Sequence, residues 1–358
     1  MVTATYDAGA PGRAAQPASV ELGLDTFGDV ASSADGTELP PGQTLRAIVE
    51  EAVLADSVGL DFFGIGEHHR ADYAVSAPDM VLASIGGRTE RIHVTSAVTV
   101  LSSEDPVRVY ERFASLQGLT AGRAEIIVGR GAYTESFPLF GFPLERYEEL
   151  FEERLGLFTQ LLSGGPVTWS GNTRAPLTAQ QVQPAMESPL PAWVAVGGNP
   201  ESIKRAARNG LPVVLAIIGG PPARFAPFAQ LHRDALAEHG HSAQPLGVHS
   251  PGYIAETDEQ AREEFWPHYS EVMNRLGRER GFMPMSRERY EADATGGALM
   301  VGSPDTVARR IAETLRTLGA TRFSMKYSSG HMPHELALSS IGLYGREVAP
   351  RVREILAS

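Results

Sequence analysis

The sequence contains no cysteine. That single absence removes disulfides, thiolate metal sites and cysteine nucleophiles together. It has no apolar run near the ~20 residues that a membrane-spanning helix needs. It also lacks an excess of Lys and Arg: the formal net charge is −12, whereas a nucleic-acid backbone is held by clustered cations. Neither a nucleic-acid partner nor a membrane is therefore expected. Residues 1–19 are rich in Ala, Gly and Pro but show no basic start followed by an apolar core, so they are expected to be a flexible tail rather than a signal peptide. Residues 20–358 are then expected to form one domain of a cytoplasmic protein.

What the chain does have is apolar residues in short bursts. They make up 42% of its 358 residues, which is enough for a full core. Strands are predicted at 20–25, 61–65, 92–101, 124–128, 193–196, 213–218, 246–255 and 322–327. Helical patterns follow them at 44–57, 78–89, 105–119, 146–162, 201–209, 221–238, 258–276, 305–318 and 334–356. Two stretches, 164–190 and 277–300, read as excursions, the first with possible short strands at 167–169 and 181–183. Eight strands alternating with helices imply a parallel sheet, and eight strands close a (β/α)8 TIM barrel with insertions. An open doubly wound sheet would instead place a Gly-x-Gly-x-x-Gly turn after its first strand, and Asp25-Thr26-Phe27-Gly28 is not one.

The barrel reading gives Asp61-Phe62-Phe63-Gly64-Ile65-Gly66-Glu67-His68-His69-Arg70 its meaning. Alternation puts Phe63 and Ile65 on the helix side and Phe62, Gly64, Gly66 and His68 towards the axis. The two glycines leave room beside the His68 ring. An imidazole at the C-terminal end of a parallel strand stands where such barrels do their chemistry, and an unperturbed one titrates near pH ~6.5. The competing reading is two surface histidines capping a loop. Strand phase sends His69 to the opposite face, so the pair is poorly spaced for a metal, and none is expected.

Three further stretches carry chemistry. Gly197-Gly198-Asn199-Pro200-Glu201-Ser202 ends a strand and starts a helix. Asn199 can cap that helix, and the free N–H groups of its first turn, with the Ser202 hydroxyl, suit an anion. Plain capping is the alternative. Gly302-Ser303-Pro304-Asp305-Thr306 has the same shape but follows an excursion, and is read as capping. Arg130, between Gly129 and Gly131 at the end of the fourth strand, can reach an anion at the mouth; pairing with Glu125 or Glu135 is the alternative. The loop 132–144 carries Tyr133, Phe137, Phe140 and Phe142, which either wall a site or pin the loop down.

Taken in order, Gly66-Glu67-His68-His69, the stretch Ser96-Ala97-Val98-Thr99-Val100-Leu101 with Asp105-Pro106-Val107-Arg108, then Val128-Gly129-Arg130-Gly131 leading to Phe140-Gly141, and Val196-Gly197-Gly198 with Glu201-Ser202 resemble the luciferase-like flavin-dependent monooxygenases. The resemblance covers roughly residues 20–353. It implies a barrel that binds reduced FMN at its C-terminal mouth, with Arg130, Glu201 and Ser202 on the phosphate and Gly197 and Gly198 in the same turn. It implies that Ala97-Val98 is an often cis, non-proline peptide supporting the isoalloxazine, and that His68 acts in the oxygen chemistry. A separate flavin reductase and a homodimer are expected on the same ground. The chain departs from bacterial luciferase in having no cysteine beside the flavin, which bears on light emission more than on flavin binding. Three other functions share parts of this pattern: an F420-dependent hydride transferase, a flavin-binding protein without turnover, and a metal hydrolase on the same barrel.

Overall fold

Strand alternation decides what fills the barrel. In the eighth barrel strand, Arg322–Lys326, the residues Arg322, Ser324 and Lys326 make polar contacts inside the barrel, while Phe323 and Met325 lie in the apolar layer beneath the helices. The computed structural model describes residues 20–131, 133–281 and 283–358, so the expected tail at 1–19 lies outside the described residues. The eight barrel strands are Glu21–Thr26, Phe62–Ile65, His93–Ser96, Ala124–Gly129, Ala192–Val196, Val213–Ala216, Leu246–Ile254 and Arg322–Lys326. Each pairs in parallel with the next, and the eighth returns to the first through Leu22↔Phe323. This is the closed (β/α)8 barrel expected from the alternation of strands and helices.

The N-terminal end of the barrel is plugged by charge. Arg322 is bonded to Glu125 at 2.6 Å and to Glu21 at 2.7 Å, and its guanidinium lies 3.6 Å from the centre of the Phe62 ring. Ile127, Trp193 and Val214 pack above it as a small apolar layer, with Val98 and Ala195 against them. The C-terminal end is left for the site. No helix among the described residues is long and apolar enough to cross a membrane.

Several details differ from the sequence expectation. The third strand is broken: His93–Ser96 is followed by Thr99–Val100, and the peptide between Ala97 and Val98 at the break is cis. The first helix begins at Pro41, so Thr44 is buried within it rather than capping it. In the first excursion Val167–Trp169 pairs with Leu177–Gln180 and not with 181–183. The reason is that Val182 is buried in the main core instead of lying in the hairpin. The helix expected to stop at 276 continues to Arg280 and is closed by Gly281 in the left-handed region. The second excursion holds a helix, Arg287–Gly296, and a short strand, Met300–Gly302, added to the end of the seventh strand. The last helix is interrupted by a wide turn at Tyr344–Val348.

Candidate active site

The first, second and third strands converge on one floor. Gly64 and Gly66 are needed there, because a Cβ on Gly64 would lie 3.0 Å from the Cβ of Ala97, and one on Gly66 would lie 2.9 Å from the Phe27 ring and 3.1 Å from the Ala97 carbonyl oxygen. These glycines therefore make room for Ala97 and Phe27, and not for the His68 ring as the sequence suggested. Ala97 N–H donates to the Ile65 carbonyl at 2.7 Å. Glu67, which is buried, accepts from the Val100 N–H at 2.9 Å and so ties the second strand to the far side of the cis peptide.

His68 sits at the inner edge of this floor and is 8% exposed. Three rings surround it: Phe27 edge-on at 5.1 Å, Tyr73 tilted at 4.3 Å and Tyr133 edge-on at 5.2 Å between centroids. Burial among these rings removes the water that an imidazolium needs and lowers its pKa to about 4, although Asp29 pulls the other way. His68 is therefore neutral across the working range, which corrects the expectation of an unperturbed imidazole. His69 faces away, with Nε2 3.0 Å from Glu67 and its ring against Phe140 at 5.0 Å. Glu67 and His69 thus serve each other.

A second polar cluster adjoins the floor. Asp25 Oδ1 accepts from Ser324 Oγ and stands 3.0 Å from His249 Nδ1. Lys326 Nζ donates to Asp29 at 2.9 Å, and Asp29 also accepts from Ser328 Oγ and from the Gly330 N–H. Burial alone would raise the Asp29 carboxyl, but Lys326 and these hydrogen bonds outweigh it and hold it below its ordinary value.

At the other end of the mouth stands the Arg130–Ser202 pair, the candidate anion clamp. Arg130 donates to Ser202 Oγ at 3.1 Å and pairs with Glu148, whereas Glu125 pairs with Arg322 and Glu135 with Arg70. The turn before Ser202 is built as the sequence implied, with Gly198 at φ 88° and Asn199 capping the helix Pro200–Arg208. The cap uses up what was expected to be free. Asn199 accepts from the Glu201 N–H at 2.9 Å, and the Ser202 N–H is directed at the Asn199 carbonyl. The Glu201 carboxylate turns outward to Lys204 at 3.0 Å and is 66% exposed. The structure thus brings together Arg130, Ser202 and Gly197 but directs the Glu201 side chain elsewhere. The similar turn at Gly302 is capping, as read: Asp258 accepts from the Ser303 N–H at 2.6 Å and fills the place of an anion.

One cavity of about 290 Å³ joins the two ends, walled by Phe27, His68, Ala97, Val98, Arg130, Tyr147, Ala195, Gly197, Ser202 and Ala216 among others. Its middle is apolar, one end is cationic and the other carries the imidazole, as in pockets for a flat apolar group with an anionic tail. Sequence reasoning missed Phe27, Tyr147 and Arg205. Arg205 lies behind the clamp, bonded to Glu148 at 2.8 Å and to Glu152; its place one turn after Glu201 on the same helix was the available signal. The aromatic loop does both jobs proposed for it. Phe137 is fully buried and Phe142 lies under Arg154 at 4.2 Å, which pins the loop, while Tyr133 and Phe140 cover the two histidines.

The model of the luciferase-like monooxygenase family matches residues 26–322. The chain belongs to that family. Among curated relatives, it is 25% identical over 240 residues to the alkanal monooxygenase alpha chain of a Kryptophanaron alfredi symbiont, covering 66% of each protein. It is 27% identical to 4-hydroxyprotoasukamycin monooxygenase of Streptomyces nodosus subsp. asukaensis, covering 87% of this chain and 88% of that one. Among solved structures, a monooxygenase from Streptomyces bottropensis superposes with a TM-score of 0.80 at 23% identity, over 92% of this chain and 99% of that one. An F420-dependent secondary alcohol dehydrogenase superposes with a TM-score of 0.71 at 16% identity, over 93% and 99%. These two structures bear on the fold of the luciferase-like barrel and not on its chemistry.

Proposed function

We propose that this chain is a monooxygenase that takes reduced FMN from a separate reductase and, with dioxygen, places one oxygen atom on a small organic substrate. One observation carries the reading. The cavity has the Arg130–Ser202 pair at one end, the Ala97–Val98 peptide as its floor and neutral His68 at the other. Reduced FMN, when bound, supplies the two electrons and the site of reaction with oxygen. Arg130 and Ser202 would hold its phosphate, with the Gly197-Gly198 backbone beside them, while Ala97 and Val98, which line the same cavity, would face the ring system. Glu201 serves through its place in the helix turn. His68, neutral and shielded by Phe27, Tyr73 and Tyr133, exchanges hydrogen bonds and protons with the reacting groups, and the covering loop keeps water from them. The related 4-hydroxyprotoasukamycin monooxygenase, by its name, performs a reaction of this class.

A second reading, hydride transfer with F420, is compatible with the same barrel, which an F420-dependent secondary alcohol dehydrogenase shares. Anaerobic titration of the purified protein separates the two. Reduced FMN is expected to bind at least ~10-fold, or ~1.4 kcal/mol, more tightly than reduced F420. The opposite order would replace the first reading by the second.

A further inference from the structure

His68 stands between two cavities. On one side is the pocket of about 290 Å³; on the other is a small, partly open recess of about 10 Å³ beside the covering loop. Glu67, His68 and Gly131 line both, and Ser136 lines only the small one. Two atoms of side chains on its wall, His68 Nε2 and Ser136 Oγ, are fully buried and meet no hydrogen-bond partner in the protein. They come from segments 68 residues apart in sequence, at 8% and 4% exposure, so neither is a surface atom served by bulk solvent. Unpaired buried polar atoms are rare because their desolvation is not repaid. A space of ~10–15 Å³ with two to four polar neighbours is what one water requires. The carboxylates of Glu67 and Glu135, on the same wall, are further acceptors for its protons.

We propose that this space is a binding site for a single ordered water that bonds both His68 Nε2 and Ser136 Oγ. Three aromatic rings hold the plane of the imidazole, but no protein group forms a directional bond to Nε2. The water supplies that bond and selects the ring's tautomer. Ser136 is then a positioning residue that acts through the water. The existence of the site rests on geometry alone, whereas its catalytic consequence rests on the monooxygenase reading above.

The test uses the cofactor-free full-length protein first. A high-resolution crystal structure is expected to show one water within ~2.7–3.2 Å of both atoms. Ser136→Val, whose methyl groups fill the space, is expected to lack it, and Ser136→Ala to keep it with weaker density. Nitrogen NMR of the His68 ring should show a shifted tautomer population in Ser136→Val. A thermal melt within a few degrees of the parent confirms that this variant is folded, and Ser136→Ala carries the same comparison if it is not. In the loaded enzyme Ser136→Val should lose roughly 5–10-fold in kcat, about the worth of one neutral hydrogen bond, with reduced FMN affinity within ~2-fold. Empty density in the parent, a water bonded to neither atom, or His68 ring signals unchanged in both variants would overturn the site. An ordered water in a protein that fails to bind reduced FMN would uphold the site and count against the monooxygenase reading instead.

Discussion

At the scale of the residue, His68 shows how far a side chain's chemistry is set by its neighbours. Strand phase was enough to direct it to the barrel mouth, since Gly64, Gly66 and His68 share a face. Its protonation was not legible, because the rings that dehydrate it belong to positions 27, 73 and 133, on three separate segments. A positioned acid–base group is worth ~10²–10⁴ in rate. His68→Ala is accordingly expected to lose that much oxygenation, or to release hydrogen peroxide in place of product, while reduced FMN affinity stays within a few-fold. A variant that oxygenates at the parental rate, or that merely loses flavin, would remove His68 from the chemistry. Burial also makes His68 a source of acid lability. Its folded pKa of about 4 lies below the ordinary value near 6.5, so between those pH values the unfolded chain binds a proton that the folded chain refuses. Stability therefore falls as pH falls through this window, by up to ~3 kcal/mol from this group. His93 and His334, raised by the carboxylates of Glu125 and Glu51 beside them, act in the opposite sense. Urea titrations of the parent and of His68→Gln across that range should show a flatter dependence in the variant; identical slopes would contradict the assignment.

At the scale of the element, the clamp is made by one strand end and two helices. Arg130 and the Gly197–Ser202 turn could be picked out from sequence because glycines and a helix start mark them. Glu148 could not, since its pairing with Arg205 across 57 residues comes only from helix packing. The consequence is testable. Glu148 places a carboxylate between Arg130 and Arg205, where it competes with an incoming phosphate. Glu148→Gln should therefore bind FMN a few-fold more tightly, whereas riboflavin, which has no phosphate, should not distinguish the two proteins. Arg130→Ala should weaken FMN binding by ~1.5–3 kcal/mol, the range for a hydrogen bond to a charged group, and leave riboflavin nearly unaffected. Equal losses for the two ligands in a fluorescence titration would remove Arg130 from the phosphate site. The broken third strand was visible only through the family resemblance, because nothing in the local pattern of Ala97-Val98 separates it from an ordinary strand.

At the scale of the whole molecule, the barrel was legible because eight apolar bursts alternate with helical patterns and the first βα turn carries no dinucleotide fingerprint. The excursions were not, because short polar segments such as 287–296 owe their helicity to packing on the helix Asp258–Arg280 and not to a strong stripe of their own. We also propose that two copies of the chain associate, as the family resemblance implies, and light scattering should return twice the monomer mass of 38.4 kDa; a monomer at working concentration would refute this. The central claim is that the barrel mouth holds reduced FMN and controls its reaction with oxygen. The most direct measurement mixes the anaerobic protein, preloaded with reduced FMN, with aerated buffer and follows the visible band of oxidised flavin. The account predicts that this band returns distinctly more slowly than for free reduced FMN, and that the delay is lost in His68→Ala although the flavin stays bound. Reoxidation at the rate of free flavin in the parent protein would contradict it.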